Sequence, residues 1–213
     1  MEQICAPAPG RREIRRQNRR EAILDAAAHS FLENGYSGTT MSAIAAMLGG
    51  SKATLWSYFA SKELLFAAVL DRATGEFQQE LSLILKPDAP VGKALTDFCR
   101  QLLNKVTGAE AVALYRLVVG EASRFPEMGQ IFFDRAPGRT RELLADYLAH
   151  AMEQGRLRRA DPAAAAVEIA ALCLGGCHMQ LLLGVIERAT PRMIELDASR
   201  TVETFMRAYA PPA

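Results

Sequence analysis

Residues 52–58, Lys-Ala-Thr-Leu-Trp-Ser-Tyr, put a cation, a hydroxyl and two aromatic side chains into one short stretch. Leu55 and Phe59 stand at i and i+4 and so share one face of a helix. Lys52, Thr54, Trp56 and Tyr58 are then left nearer the other faces. Such groups suit phosphates, base edges and thymine methyls. Thr40 is placed to cap a short helix running to about Leu48, Gly49-Gly50 supplies a turn, and the 52–59 helix follows. Helix, glycine-containing turn and helix have the shape of a helix-turn-helix. The spacing alone also suits a small helical hairpin with an ordinary polar surface.

A second group lies upstream. Arg11, Arg12, Arg15, Arg16, Arg19 and Arg20 share residues 11–20 with one acid, Glu13. A charge run is often only a solvated segment. Beside a helix-turn-helix it reads as a basic arm for phosphates or the minor groove. A third group is soft: Cys173, Cys177, His178 and Met179. Cys at i and i+4 share a helix face and could take Cu(I), Zn²⁺ or an arsenical, or form a redox switch. In so apolar a stretch, buried thiols acting as small hydrophobes are the favoured reading. An enzyme is disfavoured. Only His29, His150 and His178 exist, and no Ser-His-Asp, HExxH, P-loop or Gly-x-Gly-x-x-Gly pattern occurs. No catalytic residue, metal or cofactor is expected.

The elements that must position these groups read as helices throughout. The chain has 213 residues, one large domain or two small ones, with ordinary apolar and charged fractions of 50% and 23%. Four Cys are too few for a disulfide scaffold. Prolines 87, 90, 126, 137, 162 and 191 mark helix ends and starts. Nine or ten helices are predicted. They comprise 19–34, ending at Asn34-Gly35, the two short helices, and a long one that Ser61 caps, running to about Lys86. Then come 91–107, 110–123, 127–135, 138–155, 162–187 and 191–209. Residues 1–10 are expected to be disordered. Ile169 to Ile186 carries no charge, but Gly175, Gly176, His178 and Gln180 interrupt it, so a buried or interface helix is favoured over a membrane span. With no secretory signal, the chain reads as cytoplasmic, with reduced thiols. The net charge of +1 argues against a nucleic-acid binder only as an average. Residues 1–65 hold 8 Lys/Arg against 6 Asp/Glu, and residues 66–213 hold 17 against 18.

The segment 39–65, TTMSAIAAMLGGSKATLWSYFASKELL, closely resembles the N-terminal signature of the TetR family of bacterial transcriptional regulators. That signature has paired Thr, Ile-Ala, a glycine turn, Ser-Lys/Arg, Leu-Tyr/Trp, Tyr-Phe and Ser-Lys-Glu-x-Leu. AILDAAAHSFLENGYSGTT fits the helix before it, so the resemblance covers roughly residues 19–70. It implies an all-α fold in three parts: a basic, disordered arm (1–18), a helix-turn-helix domain (19–65) and a helical effector-binding and dimerisation domain (66–213). It implies a regulator, more often a repressor, that binds a palindromic double-stranded operator as a homodimer and is released by a small, largely apolar effector. By the same resemblance Thr40 holds a phosphate and Ser51 begins the recognition helix. Lys52, Ala53, Thr54 and Trp56 face the major groove, Tyr58 and Lys62 reach the backbone, and Arg19 joins from the arm. Ile44 and Phe59 are motif core. Three positions depart from the pattern: Gly50 replaces an apolar residue, Ala53 a common Gly, and Trp56 a usual Tyr. The first predicts a looser turn, and the last removes a hydroxyl.

For the C-terminal half, apolar and aromatic spacing suggests an effector pocket from Phe77, Leu81, Leu102, Val106, Tyr115, Phe132 and Met179, although plain core shows the same stripes. A dimer interface is expected from Leu144, Tyr147, Leu148, Cys173, Gly176, Cys177, Gln180 and Gly184, where small residues allow close helix approach. Burial inside one chain is the alternative. The long helix would join the two functions, its tilt setting the spacing of the recognition helices on a palindrome. A constitutive architectural DNA-binding protein is the rival from another class.

Overall fold

The computed structural model describes residues 10–211. They form eleven α-helices and one π-helical turn, with no strand among the described residues. The helices are α1 (Arg11–Gly38), α2 (Met41–Met47), α3 (Lys52–Tyr58), α4 (Lys62–Ile84), α5 (Val91–Val106), α6 (Ala109–Glu121), α7 (Pro126–Phe133), α8 (Arg139–Glu153), α9 (Pro162–Leu174), α10 (Cys177–Leu182) and α11 (Pro191–Tyr209). The chain divides into two compact units, one ending at Val69 and the other beginning at Leu70. Helix α4 has residues in both.

In the first unit, Ile23, Leu24, Ala27 and Phe31 repeat at helical spacing along α1 and are buried with Ile44, Leu55, Leu65 and Phe66. The Phe66 ring stands edge-on to Phe31 and Tyr36, at 5.1 and 5.4 Å between centroids. These contacts put Leu65, Phe66 and Val69 inside the first unit and move its end past the expected boundary at residue 65. Gly35, at φ 73°, interrupts the helical backbone where Asn34-Gly35 predicts a stop, a conformation that costs glycine little.

The start of α1 differs from expectation. The helix begins at Arg11, not Arg19, so residues 11–18 are helical and not a disordered arm. Past Gly10, whose backbone is extended, the sequence Arg-Arg-Glu-Ile-Arg-Arg-Gln-Asn holds no glycine or proline and is rich in straight-chain residues that favour helix. Gln17 also donates a 2.7 Å bond to Glu21 one turn on. The disorder expected for residues 1–10 falls, apart from Gly10, outside the described residues.

The second unit buries one face from each of several helices: Phe77 and Leu81 of α4, Leu95, Phe98 and Leu102 of α5, Leu144, Tyr147 and Leu148 of α8, Ile169 and Cys173 of α9, and Ala198 and Phe205 of α11. Two element predictions change here. Pro137 does not separate two helices. It lies within the π-helical turn Asp134–Gly138, which joins α7 directly to α8. Proline clashes with the carbonyl four residues back in an α-helix, and a wider turn relieves that conflict. The long helix expected over 162–187 is also broken, into α9 and α10, at Gly175-Gly176. No helix among the described residues is long and apolar enough to cross a membrane.

The break has a specific cause. The backbone N–H of Cys177 donates to Asp197 Oδ2 of α11 at 2.7 Å, so a carboxylate from another helix caps α10. A Cβ on Gly176 would lie 2.2 Å from that oxygen, so only glycine fits beneath it. Asp197→Ala should therefore lower stability in urea by about 1 kcal/mol, as loss of a helix cap does. Gly176→Ala should cost more, since the carboxylate must leave its place. An unchanged unfolding midpoint for Asp197→Ala would show that the cap contributes nothing.

Candidate nucleic-acid interface and second-unit cleft

Helix α3 has seven residues and is fixed from both sides. Ser51 Oγ accepts from the Thr54 N–H at 3.2 Å and lies 3.0 Å from the Thr54 hydroxyl. Leu55 and Phe59 are buried, so the spacing argument for the inner face holds. Lys52, Ala53 and Thr54 are exposed, Trp56 is 50% exposed, and Tyr58 is half-buried. One short helix thus presents an ammonium, a methyl, a hydroxyl and an indole to solvent. Thr40 caps α2 by accepting from the Ala43 N–H at 3.1 Å, and it too is exposed.

The paired threonines divide their work. Thr39 is buried, and its hydroxyl donates toward the carbonyls of Gly35 and Ser30 at 2.8 and 2.9 Å. It therefore clamps the turn after Gly35, while Thr40 faces out. Lys62 is a correction. Its ammonium does not project as a backbone contact but donates to the carbonyls of Tyr36 and Thr39, at 2.7 and 3.1 Å, and sits 4.0 Å from the Tyr36 ring centre. Next to it, Tyr36 donates to Glu63 at 3.3 Å. Bonds from its own backbone N–H and the Ser61 hydroxyl, offset in part by burial, and then Tyr36 and Lys62 hold the Glu63 carboxyl below its usual range. Ser61 also accepts from the Leu64 N–H at 3.2 Å, as a cap for α4 should. Sequence reasoning missed the roles of Tyr36, Thr39 and Glu63. The positive-φ Gly35 is the signal that a turn there needs tying down.

Gly50 does not leave the turn loose. Arg19 is half-buried, donates to the Leu48 carbonyl at 3.3 Å, and lies where a Gly50 Cβ would fall, 2.5 Å from its Nη2. A guanidinium from α1 thus covers the space that an apolar side chain would fill. Arg20 lies over the Phe59 ring at 5.5 Å.

The pocket residues expected in the second unit do not gather. Phe77, Leu81 and Leu102 are buried in its core, with Val106 packed at the edge. Tyr115 meets Phe132 and His178 edge-on elsewhere, at 6.0 and 5.7 Å, and Met179 is exposed. The largest opening described is a cleft of about 390 Å³ lined by Asp71, Gly75, Gln78, Gln79 and Ser82 of α4 and by Arg139 and Leu143 of α8. Beside it, Arg135 of the π-helical turn contacts Asp71 at 2.5 Å, and its carbonyl accepts from Gln78 at 3.1 Å. None of the expected pocket residues lines this cleft.

The expected dimer residues are corrected in the same way. Leu144, Tyr147, Leu148, Cys173 and Cys177 are buried inside the unit, because α8 and α9 pack on one another within the chain. Tyr147 spends its hydroxyl on the Ala89 carbonyl at 3.0 Å. Gly176 is half-buried under Asp197, and only Gln180 and Gly184 are exposed. The exposed apolar residues are others: Val167 and Leu172 of α9, Met179 of α10, Leu183 and Val185 just after it, and Leu196 of α11. The thiols fit the hydrophobe reading. Burial, reinforced by Asp197, pushes Cys177 up to about 12, and its Cys99 neighbour and burial raise Cys173. Both are protonated at neutral pH, and the thiolate is the metal-binding form. Among the described residues no group of three or more His, Cys, Asp or Glu could hold a metal ion.

Comparison with known proteins agrees with this arrangement. Residues 23–69 match the model of the tetR family of bacterial regulatory proteins. Residues 93–211 match that of the AefR-like transcriptional repressor C-terminal domain. The solved structure of the flavonoid-responsive regulator FrrA is 34% identical, with a TM-score of 0.80, covering 92% of this chain and 100% of that one. A TetR-family regulator from Mesorhizobium loti is 25% identical, with a TM-score of 0.79, over 92% and 98%. The transcriptional repressor ComR of Escherichia coli is 31% identical over 53% of this chain, which spans about half of that relative's length. With family models matching both units and a full-length structural relative beside them, the chain belongs to the TetR family of transcriptional regulators.

Proposed function

We propose that the chain is a homodimeric repressor that reads a palindromic operator with α3 and lets go when a small organic molecule enters its second unit. The observation that carries this is the face of α3: Lys52, Ala53, Thr54 and Trp56 stand exposed on a helix whose other side is buried. Lys52 is suited to a phosphate or guanine edge, Thr54 to a base edge or thymine methyl, and Trp56 to apolar contact with a methyl. Tyr58 and Thr40 would hold phosphates, which fix register without reading sequence. Lys62 is left out of the contact set and positions the turn instead. The similarity to ComR, a repressor, favours repression.

The exposed side chains of Val167, Leu172, Met179, Leu183, Val185 and Leu196 are apolar surface that a second copy would cover. Adjoining copies present the same surface to each other across a two-fold axis, and a palindrome requires such symmetry. For the effector, the cleft beside α4 falls in the 300–1,000 Å³ range of small-molecule pockets, at about 390 Å³. Its carboxamides, hydroxyl and guanidinium favour a molecule edged with polar groups over a purely apolar one. FrrA responds to flavonoids, flat aromatics that carry hydroxyls. Helix α4 runs unbroken from Lys62 to Ile84, so an occupant of the cleft would act on the element that begins beside the turn before α2. A differential affinity of about 1–3 kcal/mol between two α4 positions would change operator occupancy 5–150-fold.

Three outcomes are expected. Thr54→Ala should weaken binding to the best duplex enriched from a random library about 5–100-fold, with relaxed preference at one position per half-site, read by titration and sequencing. Retained affinity and preference would remove α3 as the reader. Leu183→Glu with Val185→Lys should turn a dimer into a monomer by light scattering at micromolar concentration. A dimer that persists would place the interface elsewhere. A Cβ on Gly75 meets nothing within 4 Å, so Gly75→Trp should fill the cleft and keep the fold. That variant should bind the duplex as before and no longer release it with flavonoids that release the wild type. Undiminished release would exclude the cleft.

A further inference from the structure

The helical start of α1 gives the arginine run a geometry. At about 100° per residue, Arg11, Arg15 and Arg19 form one i, i+4 row and Arg12, Arg16 and Arg20 form the next, so the six arginines occupy roughly half the circumference. Glu13, Ile14, Gln17 and Asn18 take the other half. Residues 11–18 are all exposed, so burial in the unit explains neither the helix nor the segregation. Like charges at i, i+4 cost an isolated helix about 0.2–0.5 kcal/mol per pair. A polyanion laid along the rows would reverse that cost.

The proximal end of the rows is fixed to the helix-turn-helix. Arg19 is bonded to the Leu48 carbonyl and fills the space over Gly50, beside Ser51 at the start of α3. Arg20 lies over Phe59 and pairs with Glu21 at 3.6 Å. From there Arg15 and Arg16 stand about 6 Å further out, and Arg11 and Arg12 about 12 Å, at 1.5 Å of rise per residue. B-DNA carries a charge every ~3.4 Å along each strand, so such a row can follow one strand past the segment that α3 reads.

We propose that residues 11–20 form a rigid helical rail that grips backbone phosphates flanking each half-site. The rail reads no bases. It rests on the operator-binding reading above and adds a second contact surface to it. Rigidity is the point on which it differs from an arm threaded into the minor groove, because an arm needs only its charges and a rail needs its helix.

The test uses the full-length chain and fluorescence titrations on two duplexes, the best sequence enriched from a random library with 12-base-pair flanks and the same sequence with flanks removed. The first variant replaces Arg11, Arg12, Arg15 and Arg16 by Gln. On the flanked duplex it should bind at least tenfold more weakly, and its log–log salt slope should fall by about 3–4, the value for four lost phosphate contacts. On the trimmed duplex it should match the wild type. The second variant, Asn18→Pro, keeps every arginine and breaks the helix between Arg16 and Arg19. It should lose as much as the fourfold variant, while Asn18→Ala should lose nothing. Melting followed by Trp56 fluorescence checks that each first unit is folded. Wild-type binding by Asn18→Pro would overturn the rail in favour of a flexible arm, and wild-type binding by the fourfold variant would remove the contact altogether. If the wild-type chain enriches no sequence, the operator reading fails, and the same slope comparison on a random 40-base-pair duplex still decides for or against the rail.

Discussion

A helix of seven residues does not hold itself together in water, because nucleation costs more than one or two turns return. Helices α2 and α3 are both that short, so the reading face exists only through its supports. Thr40 and Ser51 satisfy N–H groups at the two N-termini. Ile44, Leu55 and Phe59 bury the inner faces against α1 and α4 residues of the same unit. Lys62 fastens the turn that leads into α2 by holding the Tyr36 and Thr39 carbonyls. A lysine that resembles a DNA contact in sequence is thus part of the frame. Its charge acts inward, on carbonyl dipoles and the Tyr36 ring, before it could act on a phosphate.

The same economy appears in the second unit. Glycines 175 and 176 break a helix that apolar content alone would continue, and a carboxylate 20 residues further on repairs the exposed end. Burial of the α8–α9 faces leaves a different apolar set outside, on α9, α10 and α11. The interior and the outer surface of this unit are therefore made from alternate faces of the same helices.

Much of this was legible in the sequence because it rests on local rules. Helical periodicity, proline positions and capping residues place most elements within a few residues, and the i, i+4 pair Leu55–Phe59 identifies the buried side of α3. What was not legible depends on contacts distant in sequence. No local signal tells that Asp197 caps α10, that Arg19 covers Gly50, or that Leu144 and Cys173 face one another's helices and not a second chain. The membrane question and the pocket fail for a common reason: apolar stripes describe burial, and burial does not say against what. The arginine run was misread for the opposite reason. Charge suggested disorder, while the helix-favouring character of Arg, Gln and Glu went unweighted.

The π-helical turn at Asp134–Gly138 has one more implication. A π turn carries one residue more than an α turn, so it changes the angular phase of everything that follows by about 100°. Leu144, Tyr147 and Leu148 point into the core only because that extra residue sits upstream. Loss of any one residue between 134 and 138 would be a rotation of α8 more than a shortening of the chain. It would turn the Arg139 and Leu143 wall of the cleft away with it, so in this segment length itself carries structural information that residue identity does not.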